Sequence, residues 1–226
     1  MIAMQDIQIT DAIVPIYCNN VFMGTGFLYK SYLITAEHII REYDDGDYDV
    51  LNGKCIKVAH VTREYEKVEY EYKGTRCAIR YNDVIWSKNQ FGDGRVFGFI
   101  DEDLAIIRLS MGIECMTMCM NDNIEGLYAD LYGFHYYNDD DIRLTKRELK
   151  LSLSHICMNM HHITQGKCFY GNIIHEGDVV IGGYSGGPIL RGKEILGMLV
   201  GRLSDSNTFH MMKSSYIFQQ ILNYEN

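Results

Sequence analysis

Apolar and polar positions along the chain alternate in short runs, broken at close intervals by Gly, Asn and Asp. That pattern predicts half-buried strands and turns. Ile13-Val-Pro-Ile-Tyr-Cys reads as a first strand, with Pro15 marking an edge or strand-start position because proline has no amide to give a ladder. Asn19-Asn20 predicts a turn into a second strand over 21–29, where Gly24 and Gly26 mark a bulge. Tyr32-Leu-Ile-Thr-Ala predicts a buried strand, followed by a short helical turn over 36–43 that carries His38. Residues 54–81 alternate as two hairpin strands with one charged face, and Val84-Ile-Trp predicts a short strand before a loop through Gly92 and Gly94. Asp101-Glu-Asp sets carboxylates just ahead of an apolar strand over 104–109, and 111–123 reads as the link to a second half. There, strands are predicted over 127–136, 143–154, 167–171, 179–181 and 194–201. Only the end predicts a helix: Ser214 or Ser215 as cap, then Ile217 with Ile221 and Phe218 with Leu222 on one face.

Composition narrows the class. A chain of 226 residues that is 47% hydrophobic and 23% charged is that of an ordinary globular protein. No apolar run approaches the roughly 18 residues of a membrane-spanning helix. Met1-Ile-Ala-Met-Gln-Asp-Ile-Gln lacks the basic and apolar regions of a secretory signal, so a cytoplasmic protein is expected. Seven cysteines (18, 55, 77, 115, 119, 157 and 168) form no framework spacing and fit reduced thiols. Cys115 and Cys119 lack a matching second pair, and His155, Cys157, His161, His162 and Cys168 are scattered, so they read as core filler and isolated side chains rather than a zinc site. The acidic run over 44–49 lacks the twelve-residue calcium-loop pattern. No metal or cofactor is therefore expected. A net charge of −9 argues against nucleic acid or an anionic membrane as partner.

The stretch Gly182-Gly183-Tyr184-Ser185-Gly186-Gly187-Pro188 carries the candidate chemistry. Its glycines admit positive φ and close approach of another chain, and Pro188 resists continuation as a helix. Such a turn exposes Ser185 and aims the amides of Gly183 and Ser185 at one point, where an oxyanion on an attacked carbonyl would be stabilised. Its bland reading is a glycine-rich β-turn with an incidental serine, and two further stretches weigh against that. Thr35-Ala36-Glu37-His38 puts an imidazole at a strand end, and Asp103-Leu104-Ala105-Ile106 puts a carboxylate at a strand start. A buried carboxylate beside a histidine fixes the ring's tautomer and stabilises its protonated form. Asp101 is the second choice for that role.

In the order His, Asp, Ser these stretches resemble the motifs of the trypsin-like (chymotrypsin-fold) serine peptidases, of the intracellular and bacterial type, from about Val14 to the C-terminus. The resemblance implies an all-β fold of two antiparallel Greek-key β-barrels with the active site between them and a C-terminal helix. Residues 1–115 would carry His38 and Asp103, and residues 116–226 Ser185 and the helix. It implies a serine endopeptidase that hydrolyses peptide bonds through an acyl-enzyme: Ser185 as nucleophile, His38 as base, Asp103 orienting it, and Gly183 and Ser185 forming the oxyanion hole. The partner is then a protein or peptide substrate, bound along the strand at 194–201, with room for a regulatory protein. A catalytically silent or partner-activated peptide-binding module is the alternative.

The departures from that family are informative. Ile39 stands where extracellular relatives place a cysteine, and Tyr184 where digestive members place an aspartate that pairs with a newly cut N-terminus. A zymogen of that kind is not expected. Val179 stands where preference for basic residues would require a carboxylate, with Asp178 one place away. The α/β-hydrolase elbow also fits Gly183-x-Ser185-x-Gly187, but it needs a helix directly after the serine, which Gly186-Gly187-Pro188 forbids. Its acid and histidine would have to be Asp205 and His210.

Overall fold

Asn19 and Asn20 both take left-handed backbone, φ 49° and 68°, which is what a two-residue hairpin turn matching the strand twist requires. The chain reverses there from β1 (Ile13–Cys18) into β2 (Val21–Thr35). The computed structural model describes residues 8–43, 47–51, 54–86, 95–97, 103–138, 141–151, 168–173, 182–202 and 208–226. The strands expected over 21–29 and 32–36 are one element. Lys30 takes φ 49° and bends β2 without ending it, so its first part pairs with β1 and its last with β10 (Ala105–Ile113).

After β2 the first half continues through the single helical turn α1 (Glu37–Ile40), then β3 (Arg41–Tyr43), β4 (Asp47–Leu51) and β5 (Lys54–Glu64). The hairpin of β6 (Val68–Tyr72) and β7 (Thr75–Ile79) follows, then β8 (Val84–Trp86) and β9 (Arg95–Phe97) ahead of β10. The main sheet runs β7-β6-β1-β2-β10-β8, and β3, β4 and β9 pair with β5 in a smaller sheet. Of the two hairpin strands expected over 54–81, the later one is itself the β6–β7 hairpin, while β5 pairs elsewhere. Pro15 is inside the sheet order rather than at its edge. Its missing donor is harmless because β6 pairs with β1 only over 16–18.

The second half carries β11 (Thr117–Met118), β12 (Tyr128–Tyr136), β13 (Ile142–Leu151), β14 (Cys168–Ile173), β15 (Pro188–Arg191), β16 (Glu194–Arg202), β17 (Thr208–Lys213) and the helix α2 (Ser214–Glu225). The order β15-β12-β13-β14 is a Greek key, the fourth strand returning beside the first. β17 pairs with both β14 and β16, which closes the sheet into a barrel, and β11 adds to β16 in parallel. β15 and β17 were not anticipated from the sequence, and the strand expected over 179–181 lies outside the described residues.

Neither Ser214 nor Ser215 caps α2. Both are inside its first turn: the Ser214 hydroxyl donates to the Cys119 carbonyl at 2.5 Å and that of Ser215 to Asp122 at 2.6 Å, while Lys213 precedes the helix without a side-chain cap. Ile217 and Ile221 are buried as the spacing predicts, in a core shared with Phe27, Leu33, Ile34, Ile106 and Ile107 of the first half. The expected all-β, two-barrel architecture with a C-terminal helix is the one the chain adopts.

Candidate active site

The strand β2 ends at Thr35, Ala36 is extended, and α1 turns His38 toward the start of β10, where Asp103 sits 1% exposed. One carboxylate holds the histidine twice. The His38 backbone N–H donates to Asp103 Oδ1 at 3.0 Å, and ring Nδ1 lies 2.5 Å from Oδ2. Donation from Nδ1–H leaves Nε2 as the acceptor on the other side of the ring. The expected fallback, Asp101, lies outside the described residues, and the carboxylate in contact with His38 is that of Asp103.

Behind the histidine a buried ion pair stiffens the turn. Arg41 donates to Glu37 at 2.5 Å, one helical turn away, and to Glu64 at 3.0 Å, with the guanidinium over the Tyr81 ring. The Tyr81 hydroxyl donates in turn to the Ile40 carbonyl at 2.5 Å. Burial by itself would lower the affinity of His38 for a proton, but the charge of Asp103, its hydrogen bond and the charge of Glu37 outweigh that and raise the pKa above its ordinary value.

The glycine turn packs on the same wall. Gly183 and Gly186 have φ of 104° and 80°, in the left-handed range that favours glycine. A Cβ on Gly186 would fall 2.1 Å from the Thr25 carbonyl, 2.5 Å from the Thr35 hydroxyl and 3.0 Å from Ile39 Cδ1. Thr35 and Ile39 bracket His38, so the residue after Ser185 rests on both sides of the imidazole's attachment. Gly24 permits this: a Cβ there would strike Ile39 at 2.6 Å and the Ser185 carbonyl at 3.1 Å. The glycine-bearing β2 thus works as a close-approach strand, in addition to carrying a bulge at Met23, opposite Ile16 and Tyr17 of β1.

The turn is held by its backbone. Thr25 N–H donates to the Ser185 carbonyl at 3.0 Å, Gly186 N–H to Leu199 at 2.8 Å, and Gly187 N–H to Tyr184 at 2.9 Å. Among the described residues no carbonyl takes the amides of Gly183 or Ser185. Tyr184 is fully buried, its hydroxyl bonded to Thr145 and its ring parallel to that of His135 at 5.8 Å. A large side chain therefore anchors the loop from inside the second barrel at the position where an ion pair with a cut N-terminus was not expected. Thr25, Thr145 and His135 went unread in the sequence, and Thr35 was read only as part of the histidine stretch. Thr25 alone had a local signal, as a hydroxyl between two glycines of a strand.

Cys18, Cys77, Cys115 and Cys119 are free thiols, and Cys18 donates to the Ile39 carbonyl at 3.1 Å. Among the described residues no group of three or more His, Cys, Asp or Glu is placed to hold a metal. Val179, Asp178, Asp205, His155, Cys157, His161 and His162 lie outside the described residues.

No family model and no curated protein matches the sequence. Solved structures do. Neuropsin, a serine protease of mouse brain, aligns with TM-score 0.64 at 11% identity over 98% of this chain and 98% of its own. A Glu endopeptidase aligns with TM-score 0.61 at 13% identity over 99% and 94%. The inactive form of the Rv3671c protease of M. tuberculosis H37Rv aligns with TM-score 0.56 at 12% identity over 96% and 91%. Likeness of this extent at such low identity is a likeness of architecture, and the chain has the fold of the trypsin-like, chymotrypsin-fold serine proteases.

Proposed function

We propose that this chain is a serine endopeptidase in which Ser185 attacks a peptide carbonyl, His38 takes and returns the proton, Asp103 orients the imidazole, and the amides of Gly183 and Ser185 stabilise the oxyanion. The observation that carries the reading is the double hold of Asp103 on His38, made on the wall against which the Ser185 turn is packed. A carboxylate-oriented imidazole beside a serine on a glycine turn supplies general base and nucleophile together. Amides left without a protein carbonyl supply the electrostatic part.

The substrate is an extended peptide. β15 stops pairing with β16 at Pro188 opposite Met198, and Leu199 is held by Gly186 and Gly187. Beyond it, among the described residues, the edge of β16 over 200–202 is open on that side. It can take a peptide as an added strand leading to Ser185.

The test is a fluorophosphonate probe together with turnover of a peptide library. Labelling at Ser185 and cleavage are expected from the wild type. Ser185→Ala should lose on the order of 10⁶ in turnover while its stability changes by no more than about 0.5 kcal/mol. His38→Ala should be nearly as severe, and the double variant little worse than either single one. An unlabelled protein that still binds peptide would replace this reading with the silent module. Cleavage retained in Ser185→Ala would move the chemistry elsewhere.

A further inference from the structure

Resting on the peptidase reading, we infer that Thr25 is a positioning residue that sets the oxyanion hole, through a hydroxyl and an amide that clamp the nucleophile turn at two carbonyls. Thr25 lies on β2 in the first half and is fully buried. Pro15 stands opposite it on β1, and Thr25 turns its own N–H and C=O away from that strand. The N–H goes to the Ser185 carbonyl at 3.0 Å, and the C=O accepts the Thr35 hydroxyl at 2.8 Å.

The side chain adds a second hold. Phe134 N–H, on β12, donates to Thr25 Oγ1 at 2.8 Å, so the hydroxyl's own proton is directed to the Gly183 carbonyl at 2.7 Å. One hydroxyl thus ties a strand of the first half to both the turn and a strand of the second. Only an oxygen that accepts and donates at once can do this, which a hydroxyl can and a methyl cannot.

The geometry bears on the hole because a trans peptide is planar, with its N–H opposite the C=O. The Ser185 amide belongs to the unit whose carbonyl is that of Tyr184, and Gly187 N–H holds that carbonyl. The units before and after it are those whose carbonyls, Gly183 and Ser185, are held by Thr25. Thr25 therefore fixes the planes on either side of the one that presents the Ser185 amide. It also fixes the carbonyl side of Gly183, which takes φ 104° and has no side chain of its own to hold it. Preorganised donors cost no reorientation when charge develops, and a turn free to rotate would lose that advantage. The hole is made of main chain, so among substitutions only a proline removes a donor outright. Its control lies in the side chain that holds them.

The experiment compares wild type, Thr25→Val and Thr25→Ser by kcat and KM on one peptide, and by amide hydrogen exchange of 182–187 in a Ser185→Ala background. Valine keeps the shape and removes the hydroxyl, while serine keeps the hydroxyl. Thr25→Val should lower kcat by roughly 10- to 100-fold, somewhat less than loss of a hole donor outright, with KM within about threefold. Exchange in the turn should rise. Thr25→Ser should restore kcat to within a few-fold of wild type and leave exchange slow. If the valine protein does not fold, Thr25→Ala repeats the comparison with room for a water at the emptied site. Unchanged kcat and unchanged exchange without the hydroxyl would overturn the clamp, as would a serine variant as impaired as valine. A wild type that neither labels nor cleaves would defeat the peptidase reading alone, and the exchange comparison would still decide whether Thr25 holds the turn.

Discussion

His38 is pulled two ways: burial favours the neutral ring, while the charge and hydrogen bond of Asp103 and the nearby charge of Glu37 favour the imidazolium and prevail. Two opposite pH dependences result. As a base the ring must be neutral, so kcat/KM should rise with pH around a midpoint above the ordinary 6.5 of histidine. Stability runs the other way. The folded ring keeps its proton to higher pH than the unfolded one, so its contribution is full below 6.5 and is lost as pH rises through the folded value. A rate profile whose acidic limb lies at or below 6.5 would contradict the first, and thermal unfolding across the same range checks the second. Asp103→Asn should bring the midpoint down and cost about 10⁴ in kcat, because the ring loses its charge partner and its tautomer is no longer fixed. His38 and Asp103 were legible because each is a chemically distinctive residue beside a strand whose apolar pattern announces itself. Thr145 and His135 were not, since they matter only through Tyr184, which lies 39 residues beyond Thr145 in the chain.

As an element, the glycine turn is built by exclusion, and its glycines are not equivalent. An alanine at 186 would take a left-handed φ of 80° and overlap Thr25 and Thr35. Together the strain and overpacking should cost about 2–5 kcal/mol. At 187 a Cβ would meet the Tyr132 carbonyl at 2.1 Å, whereas at 182 it meets nothing within 4 Å. Denaturant unfolding should therefore show Gly186→Ala and Gly187→Ala strongly destabilised and Gly182→Ala within about 0.5 kcal/mol of wild type. Equal effects at all three positions would refute this account of the turn. Other elements show where sequence patterns reach and where they stop. The β1–β2 hairpin was legible because Asn-Asn is a local turn chemistry, and α2 because its apolar face repeats at helical spacing. The unity of β2 was not, since a bend at Lys30 is read from sequence as an end. The serine caps were misread because tertiary acceptors, the Cys119 carbonyl and the Asp122 carboxylate, took both hydroxyls.

At the scale of the whole molecule, the order of motifs implies two halves but says nothing of how firmly they are joined. The core that contains Phe27, Leu33 and Ile107 of the first half also contains Leu190, Ile195, Met198, Val200 and Met212 of the second, together with Ile217 and Ile221 of α2. The Tyr32 hydroxyl adds a hydrogen bond of 2.8 Å from β2 to Glu225 at the far end of the helix. Such sharing cannot be seen in alternation alone, because an inward-facing residue looks the same whichever half it meets. Its consequence is cooperativity: neither half can lose its packing without stripping apolar surface from the other. Unfolding should therefore be a single transition, coincident when followed by backbone and by tertiary signals. Ile221→Ala, at the helix contact, should destabilise it by about 2–5 kcal/mol. That loss should appear as a shift of the whole transition, not as early release of α2. The distinction is read by comparing the calorimetric and van't Hoff enthalpies of wild type and variant, which should agree for each. Two resolved transitions in the wild type, or a variant in which the helix melts ahead of the barrels, would mean that the halves are stabilised separately and that the shared core does not couple them.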